Sequence, residues 1–152
     1  MITLQEIDMH NFSAASKLKV HDTQKAFVGS ADWIMALAYA DRGRNARVMA
    51  IALNGTPIGL AMTSEVAMEH EAGFYYIPQL FIDAAYQGRG YGRRAMELVI
   101  AMLAAEQHYD SVRLDVHRSD IAAIHLYRSL GFSETGYSDP ANPALLFLGR
   151  NL

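Results

Sequence analysis

The second half of the chain alternates strand-like and helix-like segments, and this order constrains the fold more than any other feature of the sequence. Phe74–Ile82 is rich in aromatic and β-branched residues, which is typical of a strand, and Gly90–Gln107 has an apolar face at three- and four-residue spacing, which predicts a helix. Further strands are predicted at Val112–Val116, Phe132–Tyr137 and Ala144–Leu148. This order predicts an α/β fold in which helices cover the faces of a mixed sheet.

Three single residues mark boundaries in this half of the chain. Asp120 is a suitable N-cap for a second helix, and Gly131 is suited to the left-handed conformation in which helices often end. Pro78 lies inside the Phe74–Ile82 segment and has no N–H to donate to a sheet. It therefore predicts a bulge, or a point where this strand separates from its neighbour.

The first half predicts a hairpin and two short helices. Ile2–Ile7 alternates loosely and is predicted to be an edge strand, and Asn11–Tyr39 has a helical composition with breaks that leave two short helices. Asn54-Gly55 is a strong hairpin signal between predicted strands at Ala46–Leu53 and Ile58–Met68, because both turn residues tolerate positive φ.

Length and composition exclude several classes of protein. With 51% hydrophobic and 19% charged residues, residues 1–152 are expected to form a single folded domain. The absence of cysteine excludes disulfides, thiolate metal sites and a cysteine nucleophile. A net charge of −3 disfavours nucleic acid as a partner, and no segment is apolar over the roughly 20 residues that a bilayer span needs. We therefore expect a cytoplasmic protein that binds neither nucleic acid nor membrane.

The segment Tyr86–Arg93 reads Tyr-Gln-Gly-Arg-Gly-Tyr-Gly-Arg and joins a predicted strand to the long helix. Its glycines let the backbone approach a ligand closely, and the N–H groups and dipole of a helix N-terminus favour an anion such as a pyrophosphate. Arg89, Arg93 and Arg94 can add positive charge. The spacing matches neither Gly-x-Gly-x-x-Gly nor a loop ending in Gly-Lys-Ser/Thr, so a dinucleotide fold and a nucleoside triphosphatase fit poorly.

Three segments in order resemble the GNAT superfamily of acyl-CoA-dependent N-acetyltransferases: Leu80–Asp83, Gln87–Gly92 and Ala123–Phe132. The resemblance implies a single-domain α/β fold of the GNAT type, with a mixed, mostly antiparallel central sheet that is splayed at the acetyl-CoA site and flanked by helices. It implies acetyl-CoA as co-substrate and no metal.

Residues that precede the predicted hairpin, together with two residues just before the glycine-rich loop, are similar to the bacterial diamine (spermine/spermidine) acetyltransferase branch of that superfamily. This second resemblance is carried by Leu18–Val20, Gln24, Phe27-Val28 and Ile82-Asp83. It implies a diamine or polyamine as the acceptor.

The resemblance also implies roles for individual residues. Main-chain groups of Leu80 and Ile82 would pair with the pantetheine arm as a neighbouring strand would, and a backbone N–H on the Leu80 side would polarise the acetyl carbonyl. Tyr127 would be the general acid that faces the sulfur. The implied cofactor-binding residues are Leu80, Phe81, Ile82, Gln87, Gly88, Arg89, Gly90, Tyr91, Gly92, Arg93, Asp120, Ala123 and Tyr127.

The sequence does not identify the general base. An alkyl amine has a pKa near 10 and is protonated at neutral pH, so a proton acceptor is needed, yet positions 76–79 hold no carboxylate. The candidates that could act through water are Glu65, Glu69, Glu71 and Tyr75. Carboxylates that could border a cationic acceptor are Asp22, Asp32, Asp41 and Glu65, and aromatic side chains that could line it are Phe27, Trp33, Tyr75 and Tyr76.

Three functions agree with these residues. The first is an acetyl-CoA-dependent N-acetyltransferase whose acceptor is a small primary amine, with diamines and polyamines as the leading substrates. The second uses the same donor on a protein N-terminus, a lysine, an amino acid or an aminoglycoside. The third is a non-catalytic acyl-CoA-binding module. Because related enzymes often pair through their C-terminal strands, a homodimer through an edge at Ala144–Leu148 is also expected.

Overall fold

Seven strands form one continuous sheet in the computed structural model, which describes residues 1–152. The strands are β1 (Ile2–Glu6), β2 (Arg47–Leu53), β3 (Thr56–Val66), β4 (Phe74–Ile82), β5 (Ser111–His117), β6 (Ser133–Glu134) and β7 (Leu145–Asn151). Their order in the sheet is β1-β2-β3-β4-β5-β7-β6, and every neighbouring pair is antiparallel except β4 with β5. The predicted α/β fold with a mixed, mostly antiparallel sheet is confirmed.

Four helices cover the two faces of this sheet. They are α1 (Phe12–Ser16), α2 (Ala31–Ala40), α3 (Tyr91–Glu106) and α4 (Ile121–Ser129). Helices α1 and α2 pack on one face over a small core that includes Leu60, Met62 and Phe81. Helix α3 packs on the other face over a larger core that includes Met96 and Leu114. No helix combines the length and the hydropathy that a bilayer span requires.

The local sequence signals bound these elements as predicted. Asn54 and Gly55 both have positive φ, at 49° and 87°, and form the two-residue turn of the β2–β3 hairpin. The Asp120 side chain accepts a hydrogen bond from the Ala123 N–H at 3.2 Å and caps α4. Gly131 follows α4 with a φ of 89°. Each signal acts within a few residues, which is why the sequence alone was sufficient.

Strands β4 and β5 pair over a short distance and then separate. Their pairing is limited to Tyr75 with Val112 and Tyr76 with Arg113, although β4 continues to Ile82 and β5 to His117. On the other side of β4, the register with β3 shifts between Met62 and Ser64, opposite the stretch that contains Pro78. The separation of strands that Pro78 predicted is therefore confirmed.

The C-terminal strands differ from the prediction. Strand β6 is shorter than the predicted Phe132–Tyr137, and β7 extends beyond Leu148 because it pairs with the whole length of β5. Strand β7 also pairs with β6, and the Thr135 N–H donates to the Phe147 carbonyl at 3.1 Å. Strand β6 thus covers the outer side of β7 only from Phe147 to Gly149, and Leu145 and Leu146 have no strand partner there, so the dimer edge at Ala144–Leu148 stays a prediction.

Candidate functional site

A cleft of about 390 Å³ opens where β4 and β5 separate. Its walls come from β4, the glycine-rich loop, the start of α3, strand β5, α4 and the segment before α2, and 16 of its 26 lining residues are hydrophobic. A mostly apolar cleft with a few polar groups is the usual form of a small-molecule site. The cleft brings together these residues of the predicted set: Leu80, Phe81, Ile82, Gln87, Gly88, Gly90, Tyr91, Gly92, Asp120, Ala123 and Tyr127.

The glycine-rich loop presents unpaired backbone N–H groups at the start of α3. None of the N–H groups of residues 88–93 donates to a protein acceptor, and the first bond of this turn runs from Arg94 N to the Gly90 carbonyl at 3.2 Å. Gly88 and Gly90 have φ of 76° and 80°, and a Cβ at either position would meet no protein atom within 4 Å. The loop therefore leaves a space lined by donors that a pyrophosphate fits.

Gln87 holds this loop to the rest of the cleft. Its Nε2 donates to the Ile82 carbonyl at 2.8 Å and to Gln24 Oε1 at 2.9 Å, while Gln24 Nε2 donates to Gln87 Oε1 at 3.0 Å. The Gln87 side chain is thus fully engaged by the protein, and the Ile82 carbonyl is occupied. The contribution of Gln87 to a ligand is therefore the position of its backbone.

Two arginines of the predicted set lie outside the cleft lining. Arg89 donates to the Ala85 carbonyl at 3.4 Å, and Arg93 donates to the Ser129 hydroxyl and lies 3.8 Å from a Glu97 carboxylate oxygen. Both side chains are on the solvent side of the loop, so they act on a phosphate in this cleft at longer range than the backbone N–H groups do.

Tyr127 lies on α4 and lines the cleft beside the β5 wall. Its ring packs against Phe132 with the ring centroids 6.0 Å apart. Burial, with smaller contributions from the negative charges of Asp120 and Asp115, raises the pKa of Tyr127 to about 12. The hydroxyl therefore keeps its proton across the physiological pH range and is available as a hydrogen-bond donor.

Asp115 is a cleft residue that sequence reasoning missed. It lies on β5 between Leu114 and Val116, which face the α3 core, so the alternation of a strand directs Asp115 to the opposite face of the sheet. The carboxylate has no hydrogen-bond or ion-pair partner, and burial raises its pKa. A charged residue in an otherwise alternating strand was the available signal, but the separation of β4 and β5 was needed to show that it faces a cleft.

The segment before α2 crosses the mouth of the cleft. The Phe27 ring packs on the His117 ring of β5 with the centroids 5.2 Å apart, and the Gly29 N–H donates to Gln79 Oε1 on β4 at 3.1 Å. This segment therefore connects both strands that form the cleft and narrows its opening on the face of α1 and α2.

The carboxylates that sequence analysis offered as base or cation site do not line the cleft. Glu65 lies 2.8 Å from His108 Nδ1 and accepts from Asn45 at 2.9 Å; burial acts to raise its pKa, but these hydrogen bonds and the nearby positive charges hold the pKa below its usual value. Asp22 pairs with Lys25, and Asp41 pairs with Arg44. The other three carboxylates, Asp32, Glu69 and Glu71, are exposed to solvent.

The predicted aromatic residues have separate positions. Tyr75 is buried, and its hydroxyl accepts a hydrogen bond from the His108 N–H at 3.0 Å, which places it in the core. Trp33 is 51% exposed on α2, and Tyr76 does not line the cleft. Only Phe27 of this group is a cleft residue.

The chain is similar to several acetyltransferases of different substrate classes. It is 26% identical over 141 residues to a spermine/spermidine N(1)-acetyltransferase of Bacillus subtilis, covering 91% of each chain. It is 30% identical over 103 residues to an aminoglycoside N(6′)-acetyltransferase type 1 of Klebsiella pneumoniae, covering 61% of this chain and 51% of that protein. It is 39% identical over 62 residues to the N-alpha-acetyltransferase RimI of Mycobacterium tuberculosis, covering 41% and 37%.

Solved structures share the fold over the whole chain. The aminoglycoside acetyltransferase AAC(6′)-Ib in complex with coenzyme A superposes with a TM-score of 0.79 at 19% identity, covering 99% of this chain and 95% of that one. The ribosomal-protein-S18-alanine N-acetyltransferase of Escherichia coli superposes with a TM-score of 0.69 at 21% identity, covering 99% and 94%. Residues 6–132 match the acetyltransferase (GNAT) family, and the chain therefore belongs to this family of acyltransferases.

Proposed function

We propose that this protein transfers an acetyl group from acetyl-CoA to a small primary amine. The observation that supports this most is the cleft itself, which has unpaired N–H groups for a pyrophosphate at one end and two titratable side chains, Asp115 and Tyr127, on its wall. The bound co-substrate would supply the acetyl thioester. The remaining steps belong to the residues of this chain.

Asp115 is the proposed proton acceptor. An amine binds as an ammonium and must lose a proton before its nitrogen can attack, and the Asp115 carboxylate has no protein partner to compete for that proton. Burial, which raises the pKa of Asp115, brings its basicity closer to that of the amine. No other carboxylate that lines the cleft is unengaged, because Asp120 caps α4.

Tyr127 is the proposed donor to the leaving sulfur. As the nitrogen–carbon bond forms and the carbon–sulfur bond breaks, negative charge moves to the sulfur, and the Tyr127 hydroxyl supplies a hydrogen bond and finally a proton. The ammonium group loses two protons in total. The first passes to Asp115 and then to solvent, and the second restores the proton that Tyr127 gave to the sulfur. The products are an N-acetyl amine and free CoA, with one proton released.

The comparisons support three acceptor classes. The Bacillus relative matches over nearly its whole length and supports the predicted diamines and polyamines, while the shorter matches support an aminoglycoside or a protein N-terminus. The uncommitted carboxylate at Asp115 supports catalysis over a purely CoA-binding module, since binding alone needs no proton acceptor beside Tyr127.

The first experiment is release of free CoA from acetyl-CoA across a panel of amines, with CoA binding measured separately by calorimetry. Turnover with any primary amine supports the proposal. CoA binding with no turnover on any amine would favour the binding module instead. Because Asp115, Tyr127 and a backbone N–H fill the required roles, we propose a reaction without a metal and expect dialysis against a chelator to leave kcat unchanged.

We also propose that the protein forms a homodimer and is located in the cytoplasm. The part of the outer edge of β7 that β6 leaves uncovered, at Leu145 and Leu146, and the outer edge of β1 are strand edges available to a dimer. Light scattering on the purified protein measures its mass, and cell fractionation of the tagged protein measures its location.

A further inference from the structure

The cleft offers one carboxylate to an acceptor. Among its 26 lining residues the acidic ones are Asp115 and Asp120, and the Asp120 side chain is engaged by the Ala123 N–H. His117 is the other titratable group on the β5 wall, and its Nδ1 lies 2.6 Å from the Ser119 hydroxyl. Asp115 is therefore the only carboxylate of the cleft lining that has no protein partner.

Neighbouring acids cannot act as a second anchor. Asp83, at the end of β4, accepts from the Lys19 N–H and the Ala85 N–H, both at 2.9 Å. Asp22, on the segment that crosses the cleft mouth, pairs with Lys25 at 2.7 Å. Each is held outside the cleft lining by its own partners.

The rest of the wall on the Asp115 side carries no charged side chain. Phe27, Val28 and Leu145 line it, together with the uncharged Gln79. The contact between the Phe27 and His117 rings narrows the opening on this side, so an extended peptide would have to displace it. A second ammonium group here would lose its hydration without gaining a partner, which is strongly unfavourable.

Resting on the proposed acetyl transfer, we propose that the acceptor of this site is a small monoamine: one ammonium group, held by Asp115, on an uncharged and largely apolar body. Diamines, polyamines and aminoglycosides carry further ammonium groups for which the cleft has no second unpartnered carboxylate. A peptide N-terminus carries a single ammonium group but needs an open groove.

The test compares acceptors that differ in charge and little else. We expect kcat/KM for 1-aminohexane to exceed that for 1,6-diaminohexane by about tenfold or more at pH 7.5, although the diamine has two equivalent reacting groups. Because the second amine loses its charge as the pH approaches about 10, the ratio should narrow with rising pH. A short peptide with a free apolar N-terminal residue and spermidine complete the panel.

A designed variant reverses the preference. Gln79→Glu keeps an oxygen that can accept from the Gly29 N–H and adds a second carboxylate to the cleft wall, so it should raise kcat/KM for the diamine relative to the monoamine by about tenfold. Gln5→Glu on β1 adds the same charge outside the cleft and should leave the ratio unchanged.

Calorimetry separates failure of this proposal from failure of the proposed function. The same amines are titrated into the protein saturated with CoA, so their relative affinity is measured even if none is acetylated. Tighter binding of 1-aminohexane supports the single-ammonium cleft whatever the turnover. Equal or better binding or turnover of 1,6-diaminohexane, or a clear preference for the peptide, would overturn it.

Discussion

Replacing Asp115 with Asn tests the role of the one unpartnered carboxylate in the cleft. The variant keeps the size of the side chain and removes its capacity to accept a proton. In the wild-type protein the reactive pair is the Asp115 carboxylate with a bound ammonium. The value of kcat/KM should therefore be constant above the pKa of Asp115, which burial has raised above its usual value, and fall as the pH drops through that pKa.

The size of the drop in kcat/KM follows from the protonation state of the amine on which the variant depends. With no other unpartnered carboxylate in the cleft, we expect the variant to depend on the neutral amine, which at pH 7 is roughly one molecule in a thousand for an amine of pKa about 10. We therefore expect kcat/KM to drop by on the order of 10³ at pH 7, within the range of general-base catalysis. The deficit should shrink by about tenfold for each pH unit towards pH 10.

The stability of Asp115→Asn should rise relative to the wild type, whereas its activity should fall. Because the pKa of Asp115 is raised in the folded protein, the native state binds the proton more tightly than the unfolded chain, and stability falls as the pH rises through the window between the two pKa values. That loss is complete once the pH exceeds the raised pKa of Asp115, and it is absent in Asp115→Asn. The variant should therefore melt at a higher temperature than the wild type at pH 7, with the difference disappearing below the unfolded pKa of about 4.

The assay is CoA release measured between pH 5 and pH 10, with thermal melts on the same samples. Asp110→Asn is the matched control, since Asp110 is exposed and lies outside the cleft. A deficit that stays constant with pH, or an acidic limb that survives in Asp115→Asn, would refute the assignment of Asp115 as proton acceptor. A variant that is both less active and less stable would indicate structural damage.

Three further variants test the other parts of the site. Tyr127→Phe should leave the Kd for CoA unchanged, as measured by calorimetry, and lower kcat in the CoA-release assay by about 10²- to 10³-fold. In the wild type, Tyr127 should cause no alkaline loss of activity below about pH 11, because its pKa is about 12. Gly90→Val should weaken CoA binding by about 10- to 100-fold with the circular dichroism spectrum intact, because it places a branched side chain at a φ of 80° in the anion space, whereas Gly43→Val, at an open position outside the cleft, should not. Tyr75→Phe should lower the free energy of unfolding by about 1 kcal/mol in urea without changing kcat, since it removes the acceptor of the His108 N–H outside the cleft; a drop in kcat would contradict this.

The parts of the fold that the sequence predicted are those fixed by short-range chemistry. The Asn54-Gly55 turn, the Asp120 cap and the apolar face of α3 each depend on residues within one or two turns of chain. The partners of β7 depend on how residues 132–151 return to the sheet, which no local pattern encodes. For that reason the sequence did not show that β6 covers part of the predicted edge at Ala144–Leu148.

The residues of the site likewise fall into those that the sequence indicates and those that only the structure shows. The glycine-rich loop was found because the spacing of its glycines is distinctive, and Tyr127 was found through the resemblance to the acetyltransferase family. The structure places both on one cleft. Asp115 was missed because its position in β5 looks like that of any solvent-facing acid in an alternating strand. Its meaning depends on two non-local facts: that β4 separates from β5, and that the segment with Phe27 covers the face to which Asp115 points.

The single parallel strand pair explains why these features meet. A parallel neighbour cannot be reached through a hairpin, so the chain leaves β4, crosses over the sheet as α3 and returns as β5. The crossover puts the N-terminus of α3 at the end of β4, which is where Gly88 and Gly90 present their N–H groups. It also brings β5 beside the part of β4 where Pro78 has no N–H to offer a neighbouring strand. The anion site, the cleft and the Asp115 wall are thus three consequences of one β-α-β connection, so a change that closed the gap between β4 and β5 should remove the cleft while leaving the glycine-rich loop in place.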